Sequence, residues 1–275
     1  MSEITLAREV RVHIVVCIKQ TPDSAANMVT ENGVATWGDA PMVVNPWDEY
    51  ALEEAIRTKE KIGGHVTALV MGPESACEAI KTAIAMGCDA GIMLSDEALA
   101  GCDARMTARV LARAIEKLVD VELAIFGKHA IDGDTGLVPV SVACTLGWTS
   151  LSYVAEVYGV DVQNARISVA RLMEEGRQNC SGALPAIISV VKEINEPRYP
   201  SFVGIRKASK SEIPVWDLAK LELDVADVKD GNSAVTWADI RPLPASGGAV
   251  ELIEGESMED IAATLADRLM ADKVI

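Results

Sequence analysis

Residues 12–18 (VHIVVCI) decide the fold, because they form an unbroken apolar run rich in β-branched side chains. A run of this kind is typical of a strand inside a parallel sheet, where helices cover both of its faces. Similar runs return at His65–Met71, at Ala90–Leu94 and at residues 122–126, with helical periodicity between them. The alternation predicts βαβ units and an α/β fold with a doubly wound parallel sheet.

The first helix has clear boundary signals. Asn45 is a good N-cap residue, Pro46 suits the first helical position, and Asp48 and Glu49 complement the helix dipole. The predicted helices cover residues 46–61, 72–87, 103–118 and 135–146.

The second half of the chain changes pattern. We expect a segment of antiparallel strands, followed by one more buried strand at residues 186–191. The antiparallel strands are predicted at residues 153–160, 165–173 and 178–183.

From residue 212 the chain becomes polar and acidic, and its apolar residues Ile261, Leu265 and Leu269 repeat at helical spacing, which predicts an amphipathic helix over residues 252–269. A polar extension with one helix buries little of its own surface, so we expect it to wrap over a partner chain. The predicted domains are therefore an α/β domain (residues 1–211) and a C-terminal arm (residues 212–275).

Composition limits the partners and the compartment. The chain has 275 residues, 49% of them hydrophobic, and a formal net charge of −16. Such an acidic chain repels phosphate backbones and anionic lipid, so nucleic acid and membrane surfaces are poor partners. No apolar run is long enough to cross a membrane, and the N-terminus lacks a signal-peptide core, so a cytoplasmic protein is expected.

Cysteine and histidine give no metal or disulfide pattern. The six cysteines form no C-x-x-C pair, and the three histidines do not stand at metal-ligand spacing from them. We expect reduced cysteines and no metal site.

Residues 127–136 (GKHAIDGDTG) form the most informative loop, because they follow a buried strand and precede a helix. Free amides at a helix N-terminus bind phosphate, and Asp134 or Thr135 is predicted to cap this helix. An ordinary glycine-rich connection is the other interpretation, and the spacing leaves both open. Asp132 and Asp134 fit turn formation and capping better than Mg²⁺ binding.

Hydrolysis and covalent catalysis are not predicted. The chain lacks a Walker A loop, a G-x-G-x-x-G fingerprint, a Ser-Gly-Gly loop after the first strand and a nucleophile elbow. A bound nucleotide would therefore be held without being cleaved.

A basic segment with interleaved apolar residues stands out near the end of the α/β domain. It is interpreted either as a solvated loop or as a docking site for an acidic partner, and the residues alone favour neither. Its members are Arg198, Phe202, Ile205, Arg206, Lys207 and Lys210.

Six blocks of sequence, taken in order, match a known family. They are CIKQTPD at residues 17–23, VNPWDEYALEEA at 44–55, TALVMGP at 67–73, AIAMGCD at 83–89, GKHAIDGDTG at 127–136 and NEPRY at 195–199. In these blocks the chain resembles the β subunit of electron transfer flavoproteins, a family that includes FixA proteins. The resemblance runs from about Val12 to Lys210.

This resemblance implies a Rossmann-like fold of the adenine nucleotide alpha hydrolase type. It implies a heterodimer with an α subunit that holds most of an FAD, and an AMP or a second FAD in the β subunit. The complex would carry electrons from an acyl-CoA dehydrogenase of fatty acid β-oxidation to a membrane quinone oxidoreductase (ETF-quinone oxidoreductase), and the chain would be no enzyme by itself. Alternatives are an electron-bifurcating complex that couples NADH oxidation to two acceptors, and a nucleotide-binding stress-type protein without a redox role.

The resemblance also implies site residues. The nucleotide would contact Cys17, Asn45, Pro46, Trp47, Asp48, Met71, Gly127, Lys128, His129, Ala130, Ile131, Asp132, Gly133, Asp134, Thr135, Gly136, Leu137 and Val138. Asp23, Ser24 and Trp47 would lie near the α-subunit flavin. Partner docking would use Arg198, Tyr199, Phe202, Ile205, Arg206 and Lys207, with Phe202 as the apolar anchor.

The chain departs from the family pattern in three places. Residues 132–140 (DGDTGLVPV) keep Gly-Asp-Thr but lack the Gln and second Gly of bifurcating members, and also lack the Asn-Gln-Thr of AMP-binding members. AMP and FAD therefore stay open, with a slight preference for FAD. His129 replaces the usual Gln, and about ten extra residues precede the first strand.

Overall fold

The computed structural model describes residues 12–31, 34–228, 233–235, 240–241 and 250–275, and the expected N-terminal extension lies outside them. The chain divides into two compact units, Met1–Asp239 and Ile240–Ile275. Within the described residues, no helix is both long and apolar enough to cross a membrane.

The secondary structure follows the predicted alternation. The strands are β1 His13–Ile18, β2 Gln20–Pro22, β3 Val29–Glu31, β4 Val34–Thr36, β5 Met42–Val44, β6 His65–Met71, β7 Ala90–Leu94, β8 Val121–Gly127, β9 Thr149–Asp161, β10 Arg166–Met173, β11 Gly176–Ala183, β12 Ala186–Val190 and β13 Val215–Trp216. The helices are α1 Pro46–Ile62, α2 Cys77–Met86, α3 Ala104–Glu116, α4 Leu137–Leu146, α5 Phe202–Ala208, α6 Leu218–Leu221, α7 Val225–Val228 and α8 Met258–Ala271.

One mainly parallel sheet organises the first unit. Its nine strands in the described part of the chain run in the order β11-β10-β9-β12-β8-β1-β6-β7-β13. Going along this order from β9 to β13, each strand is parallel to the next. Strand β10 pairs antiparallel with both β9 and β11. The predicted α/β fold and its antiparallel segment are thereby confirmed. From β1 the chain first builds outward through β6 and β7 and then returns to β8 on the other side of β1.

Helices cover both faces of this sheet. Ile14 and Val16 of β1 pack into a core shared with α1 and α2, whereas Val15 and Cys17 pack into a second core shared with α3 and α4. All four side chains are buried. Each fully buried aliphatic side chain stabilises the fold by about 1.5–3 kcal/mol, which explains why the strand has no polar face.

Several predictions of where elements begin were wrong. Helix α2 begins at Cys77 rather than at residue 72, after a short 3-10 helix at Glu74–Ala76, and β9 begins at Thr149 rather than at residue 153. The last helix begins at Met258 rather than at residue 252, because the Ser257 side chain accepts a hydrogen bond from Asp260 N (3.2 Å) and caps it. Helix α4 begins at Leu137 rather than at residue 135. The basic segment, interpreted as a loop, contains α5, whose N-cap Ser201 accepts from Gly204 N at 3.0 Å.

The N-terminus of α1 lies directly against the end of β8, and this contact requires glycine. A Cβ on Gly127 would lie 2.7 Å from the Trp47 carbonyl carbon and closer still to the Asp48 carboxylate. Backbone atoms do not move aside as a flexible side chain does, so the close approach fixes the distance between α1 and β8.

We therefore expect Gly127→Ala to lower the free energy of unfolding by about 1–3 kcal/mol, because the added methyl group overpacks this contact. Urea unfolding measures the change. Gly133→Ala in the same loop is the matched control, since a Cβ there meets nothing within 4 Å. Equal stability of the two variants would contradict the proposed role of the contact.

Candidate functional site

The predicted nucleotide residues meet where the strand order reverses. Cys17 lies near the carboxyl end of β1, Met71 ends β6, and Gly127 ends β8. These three strands are neighbours with β1 in the middle. Doubly wound sheets bind their ligands outside the carboxyl ends of the strands at such a reversal.

Asn45 ties the start of α1 to the glycine-rich loop. It occupies the N-cap position but its side chain makes no cap hydrogen bond, so that part of the prediction was wrong. Instead its Nδ2 donates to the His129 carbonyl at 2.9 Å, and its Oδ1 accepts from Ile131 N at 3.2 Å. The residue is fully buried, and both bonds fix the loop on α1.

The buried side chain of Asp48 links α1 to the ends of β1 and β8. Its carboxylate accepts hydrogen bonds from Lys19 N at 2.7 Å and from Gly127 N at 3.2 Å. Burial raises the pKa of Asp48 to about 7, and the two backbone bonds and the Lys19 charge oppose that shift. The side chain therefore serves as a structural bridge at the end of the sheet.

Two contacts between basic and acidic side chains hold the glycine-rich loop. Lys19 Nζ lies 2.6 Å from Asp132 Oδ2, and His129 Nδ1 lies 3.1 Å from Asp134 Oδ1. Burial lowers the pKa of His129, against the opposing effect of Asp134. The other carboxylate oxygen of Asp132 is buried and has no hydrogen-bond partner within the described structure. That oxygen is thus placed to accept a hydrogen bond from a ligand.

Helix α4 starts without a side-chain cap. Gly136 occupies its N-cap in the left-handed conformation (φ 61°), and neither Asp134 nor Thr135 caps it, so the capping prediction was wrong. Asp134 pairs with His129 instead. The first amides of a helix have no partner within the helix, so this end suits an anionic group such as phosphate.

Lys128 and two aromatic rings form the wall of a cleft. The ammonium group of Lys128 lies 5.3 Å from the ring centre of Trp47 and 5.6 Å from that of Tyr153. Tyr153 has a φ of 59°, which is rare for an aromatic residue. The cleft has a volume of about 990 Å³, and the β10–β11 hairpin lines its other side.

A second, smaller cavity of about 240 Å³ lies beside the loop. Asp23 and Ser24 line it together with Trp37, Ile131 and Asp132. Trp47 lines the larger cleft instead, so the structure places the three residues predicted to face a flavin on two different cavities.

Covalent and metal chemistry have no support among the described residues. The Cys17 thiol is buried, and burial raises its pKa well above the ordinary value, which keeps it protonated and unreactive. No group of three or more His, Cys, Asp or Glu side chains in the described ranges is arranged to hold a metal ion.

The predicted docking residues do not share one environment. Tyr199 and Phe202 are 92% and 88% exposed, and Ile205 is also exposed. Arg206 and Lys207 are exposed on α5, and Lys207 Nζ donates to the Cys88 carbonyl at 3.0 Å. Arg198 is different, because its guanidinium group forms ion pairs with Glu53 and Glu60 of α1.

Several of these partnerships were missed from the sequence. Glu53 and Glu54 are buried in α1, although the helical pattern marks them only as charged residues beside an apolar stripe. The pair of adjacent glutamates within an otherwise apolar stretch could have indicated buried carboxylates that need partners. The sequence alone does not identify Arg198 and Asn195 as those partners.

The fold and the site define a class of α/β proteins with a doubly wound, mainly parallel sheet and an uncapped helix at the reversal of that sheet. Comparison with known proteins narrows this class. The family model described as electron transfer flavoprotein domain matches residues 36–221.

Curated relatives extend the match over nearly the whole chain. Protein FixA of Azotobacter vinelandii is 36% identical over 259 residues, which is 90% of both chains. The electron transfer flavoprotein subunit beta of Megasphaera elsdenii is 34% identical over 95% of this chain and 99% of its own. That of Thermoanaerobacterium thermosaccharolyticum is 36% identical over 96% and 100%. The chain belongs to the electron transfer flavoprotein β-subunit and FixA family, which is a family of electron carriers.

The raised pKa of Asp48 makes stability depend on pH. Between the ordinary aspartate pKa of about 4 and the folded value of about 7, the unfolded chain holds fewer protons than the folded chain. Raising the pH through this window therefore removes stability from the wild-type protein. Asp48→Asn lacks this titration, so the wild-type free energy of unfolding should fall relative to that of the variant as pH rises from about 4 to about 7.

Urea unfolding at several pH values checks this expectation. Asp120→Asn at an exposed turn is the control for the removal of one carboxylate elsewhere in the chain, and both variants are compared with the wild type under the same conditions. A profile for Asp48→Asn parallel to that of the wild type would show that Asp48 does not titrate in this window.

Proposed function

We propose that this chain is the β subunit of a heterodimeric electron transfer flavoprotein. It would hold an adenine nucleotide, AMP or a second FAD, and pair with an α subunit that carries the redox-active FAD. The complex would take electrons from an acyl-CoA dehydrogenase and pass them to a quinone oxidoreductase or another acceptor. The observation that carries this proposal is the loop at residues 127–136, fixed on α1 by Asn45 and leading into an uncapped helix.

The site suits an adenosine phosphate. The amides at the start of α4 would bind phosphate oxygens, and Gly136 keeps that end free of a side chain. The unpartnered Asp132 oxygen would accept a hydrogen bond from a ribose hydroxyl or an adenine amino group. Lys19 neutralises the other oxygen of Asp132, which reduces its repulsion of phosphate.

The chain supports electron transfer without performing chemistry. The bound flavin supplies the redox reaction, and the protein supplies binding, orientation and a fixed electrostatic environment. Among the described residues of the site, Cys17 is buried and burial raises its pKa, so this thiol is not a reactive nucleophile. We therefore propose a carrier subunit rather than an enzyme.

The basic segment is proposed as the docking surface for the dehydrogenase. Its apolar side chains Tyr199, Phe202 and Val203 are at least 80% exposed, which is unusual for residues of this size. The cations of α5 stand beside them in a chain of net charge −16. An apolar pocket with a carboxylate rim on the dehydrogenase would match both features.

The C-terminal arm (residues 212–275) is proposed to wrap the α subunit, mainly through helix α8. Helix α8 has no buried residue, and Met258, Leu265 and Met270 are among its exposed apolar side chains. An amphipathic helix without a buried face gains stability only when a partner covers its apolar side.

The first test is the purified complex with its α subunit. We expect a flavin absorbance band that the dehydrogenase and its acyl-CoA substrate bleach, and an adenine nucleotide released on denaturation. One FAD and one AMP per heterodimer would indicate a one-flavin carrier, whereas two FAD would indicate the bifurcating alternative. A complex that holds flavin but stays oxidised, or that releases no nucleotide beyond one FAD, would contradict the proposal.

The second test is Phe202→Ala. Removing an apolar anchor from a docking surface typically costs about 2 kcal/mol in binding, so the KM for the dehydrogenase should rise about 30-fold while kcat at saturation changes little. Val119→Ala is a suitable control, because Val119 is 75% exposed at the turn between α3 and β8. An unchanged KM would remove Phe202 from the docking surface.

A further inference from the structure

The segment that precedes α5 is held on α1 by side chains rather than by regular secondary structure. Residues 195–200 lie outside helices and strands. Asn195 Nδ2 donates to the Tyr50 carbonyl at 3.0 Å and to Glu54 Oε2 at 3.2 Å. The backbone N–H of Arg198 donates to Glu53 Oε2 at 3.1 Å. These bonds anchor both ends of the NEPR sequence on one helix.

The guanidinium group of Arg198 makes the strongest part of this anchor. It binds Glu53 through Nε at 2.8 Å and Nη2 at 2.9 Å, a two-pronged geometry that fixes the plane of the group. The same group binds Glu60 through Nη1 at 2.7 Å and Nη2 at 3.0 Å. Glu53 is only 4% exposed, so its charge requires this partner.

We call these three residues, Glu53, Glu60 and Arg198, the carboxylate clamp. The hydrogen bond from Arg198 also lowers the pKa of Glu60, which keeps that carboxylate charged. The clamp is stronger than an ordinary exposed ion pair, because two carboxylates bind one planar group from both sides.

The exposed aromatic residues follow the clamp at once. Tyr199 is the next residue, and Phe202 begins α5 three residues later. On its other side α5 is fixed on the end of α2: Ser201 N donates to the Ala85 carbonyl at 3.3 Å, and a Cβ on Gly204 would overlap that carbonyl. The two aromatic side chains are thus presented to solvent by a backbone that is fixed at both ends.

We propose that Glu53 and Glu60 are positioning residues for docking, which hold Arg198 and thereby orient Tyr199 and Phe202 toward the electron-donating partner. The inference rests on the proposed docking function of this segment. Its physical basis is that a segment already fixed in its bound arrangement loses less conformational freedom on association than a loose one. The clamp would act without touching the dehydrogenase.

Glu60→Gln is the main variant for the test, because Glu60 is half-exposed and the change leaves the buried Glu53–Arg198 pair in place. Arg198→Lys keeps the charge but cannot bind both carboxylates in the same plane. In the heterodimer with bound flavin, each variant should raise the KM for the dehydrogenase about 3- to 10-fold, with kcat at saturation and flavin content unchanged. Glu53→Gln should have a larger effect, provided that the variant folds.

The control is Glu222→Gln. Glu222 pairs with Arg113 of α3 and with Lys117, which follows that helix, so this variant also removes one carboxylate from a cluster of cations, but away from α1 and α5. It should leave the KM unchanged. A rise equal to that of Glu60→Gln would mean that the effect is one of net charge, and would overturn the proposal.

A double-mutant cycle separates positioning from general stability. If the clamp acts through the aromatic anchor, Glu60→Gln should raise the KM much less in a Phe202→Ala background than in the wild type. Fully additive effects would overturn the clamp. An unchanged KM for Phe202→Ala alone would instead refute docking by this segment. If Phe202→Ala raises the KM but Glu60→Gln and Arg198→Lys do not, only the role of the clamp is refuted.

Discussion

The carboxylate of Asp48 is the interaction on which the rest of the site depends. It accepts hydrogen bonds from the backbone N–H of Lys19, just after β1, and from that of Gly127, at the end of β8. Asp48 itself belongs to the first turn of α1. Three elements that the chain visits at distant positions are thereby joined at the reversal of the sheet. Because Gly127 has no side chain, Trp47 and Asp48 lie directly against it, and this contact fixes the position at which the following loop begins.

Helix α1 then supports two proposed sites. Its first turn carries Asp48 at the proposed nucleotide site, and its later turns carry Glu53 and Glu60 at the carboxylate clamp. A helix rises about 1.5 Å per residue, so Asp48 and Glu60 stand roughly 18 Å apart along one rigid axis. The loop and the docking segment are thus placed by different turns of the same helix. A carrier that must present one face to a donor while holding a nucleotide at another gains from such a common support.

The sequence predicted the sheet better than the site, for a physical reason. Strands buried on both faces, such as β1 and β7, contain few polar residues, so their position is readable locally. Asn45 occupies the N-cap without capping through its side chain, and Asp134 is not a cap at all, because a short polar side chain can cap a helix or bond to another segment with equal ease. Arg198 was interpreted as exposed because its partner Glu53 lies 145 residues earlier, a pairing that only the folded chain brings together.

The distribution of charge favours docking through one face of the proposed docking segment. The chain as a whole carries −16, which repels an acidic partner at long range. At physiological ionic strength this repulsion is screened beyond about 8 Å, so the local cations of α5 dominate the final approach. Since Arg198 is paired with Glu53 and Glu60, the remaining attraction at this segment comes from Arg206 and Lys207 of α5 and from Lys210, which follows that helix. These cations favour the approach of a partner with an acidic rim through the face that carries the apolar anchor.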